Sequence, residues 1–191
     1  MKIDQWIDLV DTENLARTPQ YALTRGHLET AIEAVKWPVD GPEFRINPTR
    51  KGNGVKPIKT AFIKKLLEYH WKAEVDEFDA YNDFAGKEPP FVAEWETGNI
   101  SSSHRAVNRI ALGNIENRIA GGVLVLPNAS LYPYLTDRVG NLRELLPYLG
   151  LWEQWRNIPN FGYFGIVSVT FDELDETVPL IKKGTDGRAL V

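Results

Sequence analysis

The stretch FVAEWETGNISSSHR, residues 91–105, sets two carboxylates, Glu94 and Glu96, two positions apart in a run of strand-forming residues. An extended chain alternates sides, so Val92, Glu94 and Glu96 share one face while Phe91, Ala93 and Trp95 share the other. Like charges about 6–7 Å apart on one strand face call for a positive partner. A second acid is close in sequence. EFDAYN, residues 77–82, carries Asp79 and is separated from the first run by the turn-like DFAGKEP, so the two runs read as a β-hairpin with an acid on each arm. If Asp79 stands opposite Glu94, their side chains come within about 5 Å, a gap that one hard divalent cation bridges. Carboxylates, backbone carbonyls and water as ligands select Mg²⁺. Such an ion beside a phosphate polarises it and activates water, and a spare carboxylate orients or deprotonates that water, so the chemistry is phosphodiester hydrolysis. Asp83, next to the turn, and Asp76, among other acids, are the alternatives for the first position. Asp79 is preferred because it centres the turn on Gly86-Lys87 and has strand formers on both sides.

A phosphate substrate needs positive charge around it. Between Arg45 and Lys72 lie eight Lys or Arg residues against a single acid, Glu68, although the whole chain of 191 residues carries a formal charge of −4. A local basic footprint on an acidic protein suits a phosphate-binding surface. Its members Arg50, Lys51, Asn53, Lys56 and Lys59 flank glycines that let a backbone approach closely, whereas Lys64 and Lys65 read as ordinary surface residues. Just past the paired acids, Asn99, Ser101, Ser102, Ser103, His104 and Arg105 start a helix and can donate to phosphate oxygens at its N-terminus.

Other chemistries are excluded or unsupported. With no cysteine there is no disulfide, thiolate metal site or cysteine nucleophile, and His27, His70 and His104 are too scattered for a zinc site. The composition, 43% hydrophobic and 25% charged, is that of a globular protein of one domain over residues 1–191. No apolar run reaches membrane-spanning length and the start lacks the order of a signal peptide, so a cytoplasmic location without a membrane partner is expected.

The elements that must position these groups follow from periodicity. In RGHLETAIEAVKWP, Leu28, Ala31, Ile32 and Val35 mark an amphipathic helix closed by Pro38. A long loop rich in Pro, Gly and Asn follows, with one short strand at EFRI, and IKTAFIKKLLEYHW resumes the helical period with Phe62, Ile63, Leu66 and Leu67 inward. After the hairpin, a serine-capped helix carries Val107, Ile110, Ala111 and Ile115 inward as far as Gly121-Gly122. GGVLVLP reads as a strand covered on both faces. Thr136 caps a short helix with Val139, Leu142 and Leu146 inward, Asp137 and Arg138 serve capping and an ion pair, and FGYFGIVSVTFDEL adds a last strand. The fold class is α/β, a mixed sheet flanked by helices.

FVAEWETGNISSSHR, together with GNGVKPIK at 52–59 and LYPYLTDRVGN at 131–141, resembles the BglII/BamHI group of type II restriction endonucleases within the PD-(D/E)XK nuclease superfamily, over residues from about 28 to 171. The resemblance implies a restriction-endonuclease-like fold, a homodimer clasping double-stranded DNA, and Mg²⁺-dependent cleavage of both strands within a short palindromic site. It also implies a companion DNA methyltransferase acting on the same site. By this resemblance Asp79 and Glu94 are metal ligands, with the Trp95 carbonyl as a further one, and Glu96 acts on water. Most of the superfamily has lysine at the last position; glutamate there is similar to the BamHI branch, and glutamine marks the BglII branch. The alternatives are a structure-selective or repair nuclease of the same fold, or a non-catalytic DNA-binding or assembly module.

Overall fold

The structure, a computed structural model, describes residues 1–75, 77–83 and 89–184. Asp76, the Gly86-Lys87 turn and the side chain of Asp137 lie outside what is described. A six-stranded sheet forms the centre, from β1 (Lys2–Asp11), β3 (Lys72–Val75), β4 (Phe78–Asn82), β5 (Phe91–Trp95), β6 (Gly121–Pro127) and β7 (Tyr163–Thr170), in the order β1-β7-β6-β5-β4-β3. β5, β6 and β7 run parallel, and the outer pairs β1–β7, β5–β4 and β4–β3 are antiparallel. A two-stranded parallel pair joins β2 (Arg45–Ile46) to β8 (Glu173–Leu174).

The period-2 pattern predicted for β5 has its physical counterpart in the two layers of the core. Phe91, Ala93 and Trp95 join Val123, Val125, Tyr163 and Val167 under α1 (Pro19–Glu33) and α2 (Lys56–Glu68). Val92 joins Leu124, Leu126, Phe164 and Ile166 on the other face, under α3 (Ile100–Ile115). β6 is buried along its whole length, as its apolar run requires with helices on both sides. Two short helices, α4 (Leu142–Leu145) and α5 (Leu149–Trp152), continue that second layer. No helix among the described residues is long and apolar enough to cross a membrane.

Several local expectations change. α1 begins at Pro19, where Thr18 accepts from the Tyr21 N–H and proline occupies the first turn, where its missing donor costs nothing. α3 is capped by Asn99, whose side chain accepts from the Ser101 N–H, and not by a serine. Thr136 opens a 3₁₀ turn, Thr136–Arg138, without capping it; Asn141 starts α4, donating to Glu144 through both its backbone and side-chain nitrogen. Leu67, Ile115 and Leu146 are about half exposed, so the inward set of α2 is Ile58, Phe62 and Leu66 with Ile63 partly buried against the same core, and Leu145 replaces Leu146. β1 and β3 are strands that periodicity passed over.

Candidate nuclease site

The hairpin of β4 and β5 sets the register of the site. Ala80 pairs with Ala93 and Tyr81 with Val92, so one step further Asp79 falls opposite Glu94. Asp79, Glu94, the Trp95 backbone and Glu96 line one cavity of about 410 Å³ together with Lys59, Thr97, Gly98, Ser102, Arg105 and Arg109. Asp83 is exposed at the end of the arm and does not line it. The three acids are thus brought together from two adjacent strands, and the helices on both sides of the sheet supply bases.

Each acid has a distinct environment. Asp79 Oδ1 takes the Lys59 ammonium at 2.5 Å and Oδ2 accepts from the Trp95 N–H at 2.8 Å. Glu94 is 4% exposed, and its Oε1 accepts from Arg109 Nε at 2.9 Å and forms an ion pair with Nη2 of the same guanidinium at 2.8 Å. Burial, reinforced by the negative charge of Asp79, pushes the Glu94 carboxyl up to about 7; Arg109 and Lys59 oppose that rise. Glu96 is 5% exposed. Its Oε1 accepts from the Gly98 N–H at 2.5 Å, and its Oε2 is buried without a hydrogen-bond partner. Burial also raises the Glu96 carboxyl, against the nearby Ser103 hydroxyl and the Gly98 and Thr97 amides; the Ser103 hydroxyl is close enough to favour the anion yet out of hydrogen-bonding geometry.

The backbone around these acids leaves little latitude. A Cβ on Gly98 would stand 2.5 Å from Ser102 Oγ and 3.3 Å from Glu96 Oε1, so glycine there is what lets the chain turn tightly from β5 into α3. Two further segments are stitched to this turn. Gly98 accepts from the Gly140 N–H, Asn99 bridges to Val139, and residues 51–53 bond in turn to Pro133, Tyr134 and Thr136. The segments 52–59, 91–105 and 131–141, which carry the family resemblance, therefore converge on one face of the molecule. A groove of about 520 Å³ lined by Lys56, Lys59, Thr60, Lys64, Thr97 and Thr136 continues from the cavity, sharing Lys59 and Thr97 with it.

The residues expected to meet DNA divide by exposure. Arg50, Lys51, Lys56, Asn99, Ser101 and Arg105 are exposed; Lys56 lines the groove, Asn99, Ser101 and Arg105 stand at the start of α3, and Arg105 Nη2 donates to Ser102 Oγ at 2.8 Å. Lys59 is partly buried and committed to Asp79. Asn53 is fully buried; its amide donates to the Asn47 and Tyr134 carbonyls and its oxygen accepts from the Ile181 N–H, so the side chain holds the loop and offers nothing outward. Ser103 is likewise fully buried. His104 packs edge-on against the Tyr148 and Trp152 rings. The sequence reading missed Arg109; a second arginine on the helix that follows the paired acids, one turn beyond Arg105, was the available signal.

Among the described residues, no three His, Cys, Asp or Glu side chains form a ready-made metal cage. The donor set nevertheless fits a hard cation: oxygen atoms alone, two of them on acids that face each other, and a buried Glu96 oxygen with its acceptor capacity unspent.

Residues 1–188 match the model of the restriction endonuclease BamHI family. The chain is 46% identical over 187 residues to the type II restriction enzyme OkrAI of Oceanobacter kriegii, covering 93% of this chain and 94% of that protein. It is 35% identical over 176 residues to the type II restriction enzyme BamHI of Bacillus amyloliquefaciens, covering 84% of this chain and 79% of that protein. The fold resembles the crystal structure of the restriction endonuclease BglII complexed with a DNA 16-mer, with a TM-score of 0.63 at 12% identity over 96% of this chain and 90% of that one. The chain belongs to the BamHI family of type II restriction endonucleases.

Proposed function

We propose that this restriction endonuclease is Mg²⁺-dependent, acts as a homodimer, and hydrolyses both strands of double-stranded DNA at a short palindromic site. The observation that carries the reading is the convergence of Asp79, Glu94 and Glu96 in one open cavity that runs into a lysine-lined groove. Asp79, Glu94 and the Trp95 carbonyl are the groups that would hold the ion. When bound, Mg²⁺ supplies Lewis acidity, drawing charge off the phosphate and acidifying water. Glu96 contributes the oxygen that orients water and takes its proton as the water oxygen attacks phosphorus and the ester bond on the opposite side breaks. Arg50, Lys51, Lys56 and the N-terminal turn of α3 with Asn99, Ser101, Ser102 and Arg105 hold the backbone of the duplex.

Homodimer formation is supported by exposed apolar side chains beyond what one copy needs: Leu112 and Ile115 on α3, and Leu146, Tyr148 and Leu151 on the segment 146–152. A two-fold dimer presents two identical sites to the duplex, which is why the target reads as a palindrome. Cytoplasmic residence beside a methyltransferase that protects the same site completes the reading.

Digestion of a mixed-sequence plasmid tests it, with and without Mg²⁺, for wild type and Glu94→Ala. Discrete fragments are expected from wild type with Mg²⁺ only, while Glu94→Ala still retards DNA in a gel, because removing a carboxylate near phosphates relieves repulsion. A smear would replace the palindromic site with structure-selective cutting, and metal-independent cleavage would overturn the role of the acids.

A further inference from the structure

Each of the two acids assigned to the ion is already paired with a cation of the same chain. Lys59, from α2 on one face of the sheet, reaches Asp79 Oδ1; Arg109, from α3 on the other face, grips Glu94 Oε1 with two nitrogens. The exposures are unequal. The acids are 17% and 4% exposed, anchored by their strands and, for Asp79, by the Trp95 amide, while the bases are 26% and 35% exposed on long flexible stems at the cavity wall. The acids are therefore fixed and the bases displaceable.

Resting on the reading of Asp79 and Glu94 as metal ligands, we propose that Lys59 and Arg109 are internal stand-ins for the divalent cation: they occupy its place on the acids in the ion-free protein and leave when it binds. The physical need for them is plain, since a buried carboxylate, Glu94, facing a partly buried one, Asp79, without a counter-charge costs more than a paired arrangement. Their departure has a use. An ammonium and a guanidinium released at the head of the lysine-lined groove meet phosphate oxygens, and Arg109 does so with a planar fork suited to them. Duplex DNA that draws the two bases off the acids opens the ion site, and by reciprocity the ion strengthens the hold on DNA. The protein alone thus binds Mg²⁺ weakly, and the ion site opens when substrate arrives.

The test is calorimetric titration of Mg²⁺ into the full chain without DNA at pH 8, for wild type, Arg109→Met, Arg109→Lys and Glu94→Ala. Arg109→Met is expected to bind Mg²⁺ about tenfold tighter than wild type, the size of losing one competing charge-assisted contact. Arg109→Lys, which keeps the charge and loses the two-nitrogen grip, falls between. Thermal unfolding gives a second readout: Arg109→Met melts lower without ion and gains more from saturating Mg²⁺ than wild type. Equal or weaker Mg²⁺ binding by Arg109→Met, with binding abolished in Glu94→Ala, overturns the stand-in role and leaves Glu94 as a ligand. Mg²⁺ binding of equal strength in wild type and Glu94→Ala takes down both the proposal and the ligand reading beneath it.

Discussion

Two polar clusters, each reaching from the core to the surface, flank the sheet, and they are satisfied to different degrees. Near the β1 edge, Tyr163 donates its hydroxyl to Asp8 Oδ1, Tyr21 OH lies 2.6 Å from Tyr163 OH and 3.1 Å from the same Asp8 oxygen, and Trp6 Nε1 donates to Tyr163 OH. Arg25 completes it, 3.7 Å from Asp8 Oδ2 and stacked over the Trp6 ring. Burial holds both phenols well above their ordinary value, so they stay neutral donors at any working pH. The cluster at β4 and β5 uses similar ingredients, carboxylates and a guanidinium, yet Glu96 Oε2 and Ser103 Oγ have no partner and Glu94 is pushed to about 7. A polar network that closes on itself ties β1, β7 and α1 together. One that is left open holds acceptor capacity for something that arrives later.

The largest contrast comes from altering one member of the open cluster. Glu96→Gln keeps the shape and the acceptor for the Gly98 N–H, and removes only the ionisable carboxyl, the proposed base. Cleavage is expected to fall by about 10²–10⁴-fold, the usual range for a general base, with the melting temperature unchanged or raised because a buried charge is gone. Single-turnover cleavage and thermal unfolding on the same preparation read both. An undiminished rate would move the proton-accepting role away from Glu96.

The next effect is a pH profile. If Glu94 is a metal ligand, it binds the cation as the anion, and burial beside Asp79 raises its carboxyl to about 7. The cleavage rate at low, fixed Mg²⁺ should therefore drop about tenfold per pH unit below that value and level off above it. Stability runs the other way. A carboxyl raised on folding favours the folded state below its unfolded value of about 4.3 and loses that advantage as pH climbs to about 7. Glu94→Gln, which cannot ionise, should melt higher than wild type at pH 8 without metal and no higher at pH 4. Coincident pH–stability curves would show that the Arg109 pair fully offsets burial.

How far the molecule could be read from its sequence follows the same division. β5, β6 and β7 were legible because a period of two or an unbroken apolar run reports burial directly. Asp79 opposite Glu94 was legible because the spacing of two strand-like runs about one turn fixes the register. β1 was not, because KIDQWIDLVD spreads acids through an edge strand whose outward face is solvated, and the periodicity dissolves. β3 has four residues, too few for a pattern, and the glutamate at 74 adopts positive φ. Asn53 and Ser103 are buried for different reasons: the Asn53 side chain is claimed by backbone groups of residues 47, 134 and 181, whereas Ser103 lies on the inward face of α3, and polar type alone reports neither. Arg109 was hidden because its partner lies on another element.

The closed cluster supplies the third test. Tyr163→Phe removes the hydroxyl on which Asp8, Tyr21 and Trp6 converge, leaving their groups underpaired at a cost of about 1–3 kcal/mol, or roughly 3–10 °C in melting temperature for a chain of this size. Cleavage per folded molecule, measured well below the transition, should stay within about twofold of wild type. A large loss of activity at full folding would mean that the β1 edge communicates with the site, and the division between closed and open clusters would fail.

The smallest effect lies at the rim of the open region. Lys56 is exposed at the first turn of α2 and lines the groove, and no ion pair is formed by it among the described residues. If it meets one phosphate, Lys56→Ala should weaken DNA binding evenly across sequences and lower the slope of log affinity against log salt concentration by about one unit, by releasing one fewer counterion. Lys65 is the built-in control, since it sits on the same helix but is spent on Glu68 at 2.6 Å; Lys65→Ala should leave the slope alone. The pair of slopes separates a lysine that is merely on the surface from one placed to hold the backbone. Equal slopes in both variants would withdraw Lys56 from the interface and shift the phosphate contacts toward Arg50, Lys51 and the start of α3.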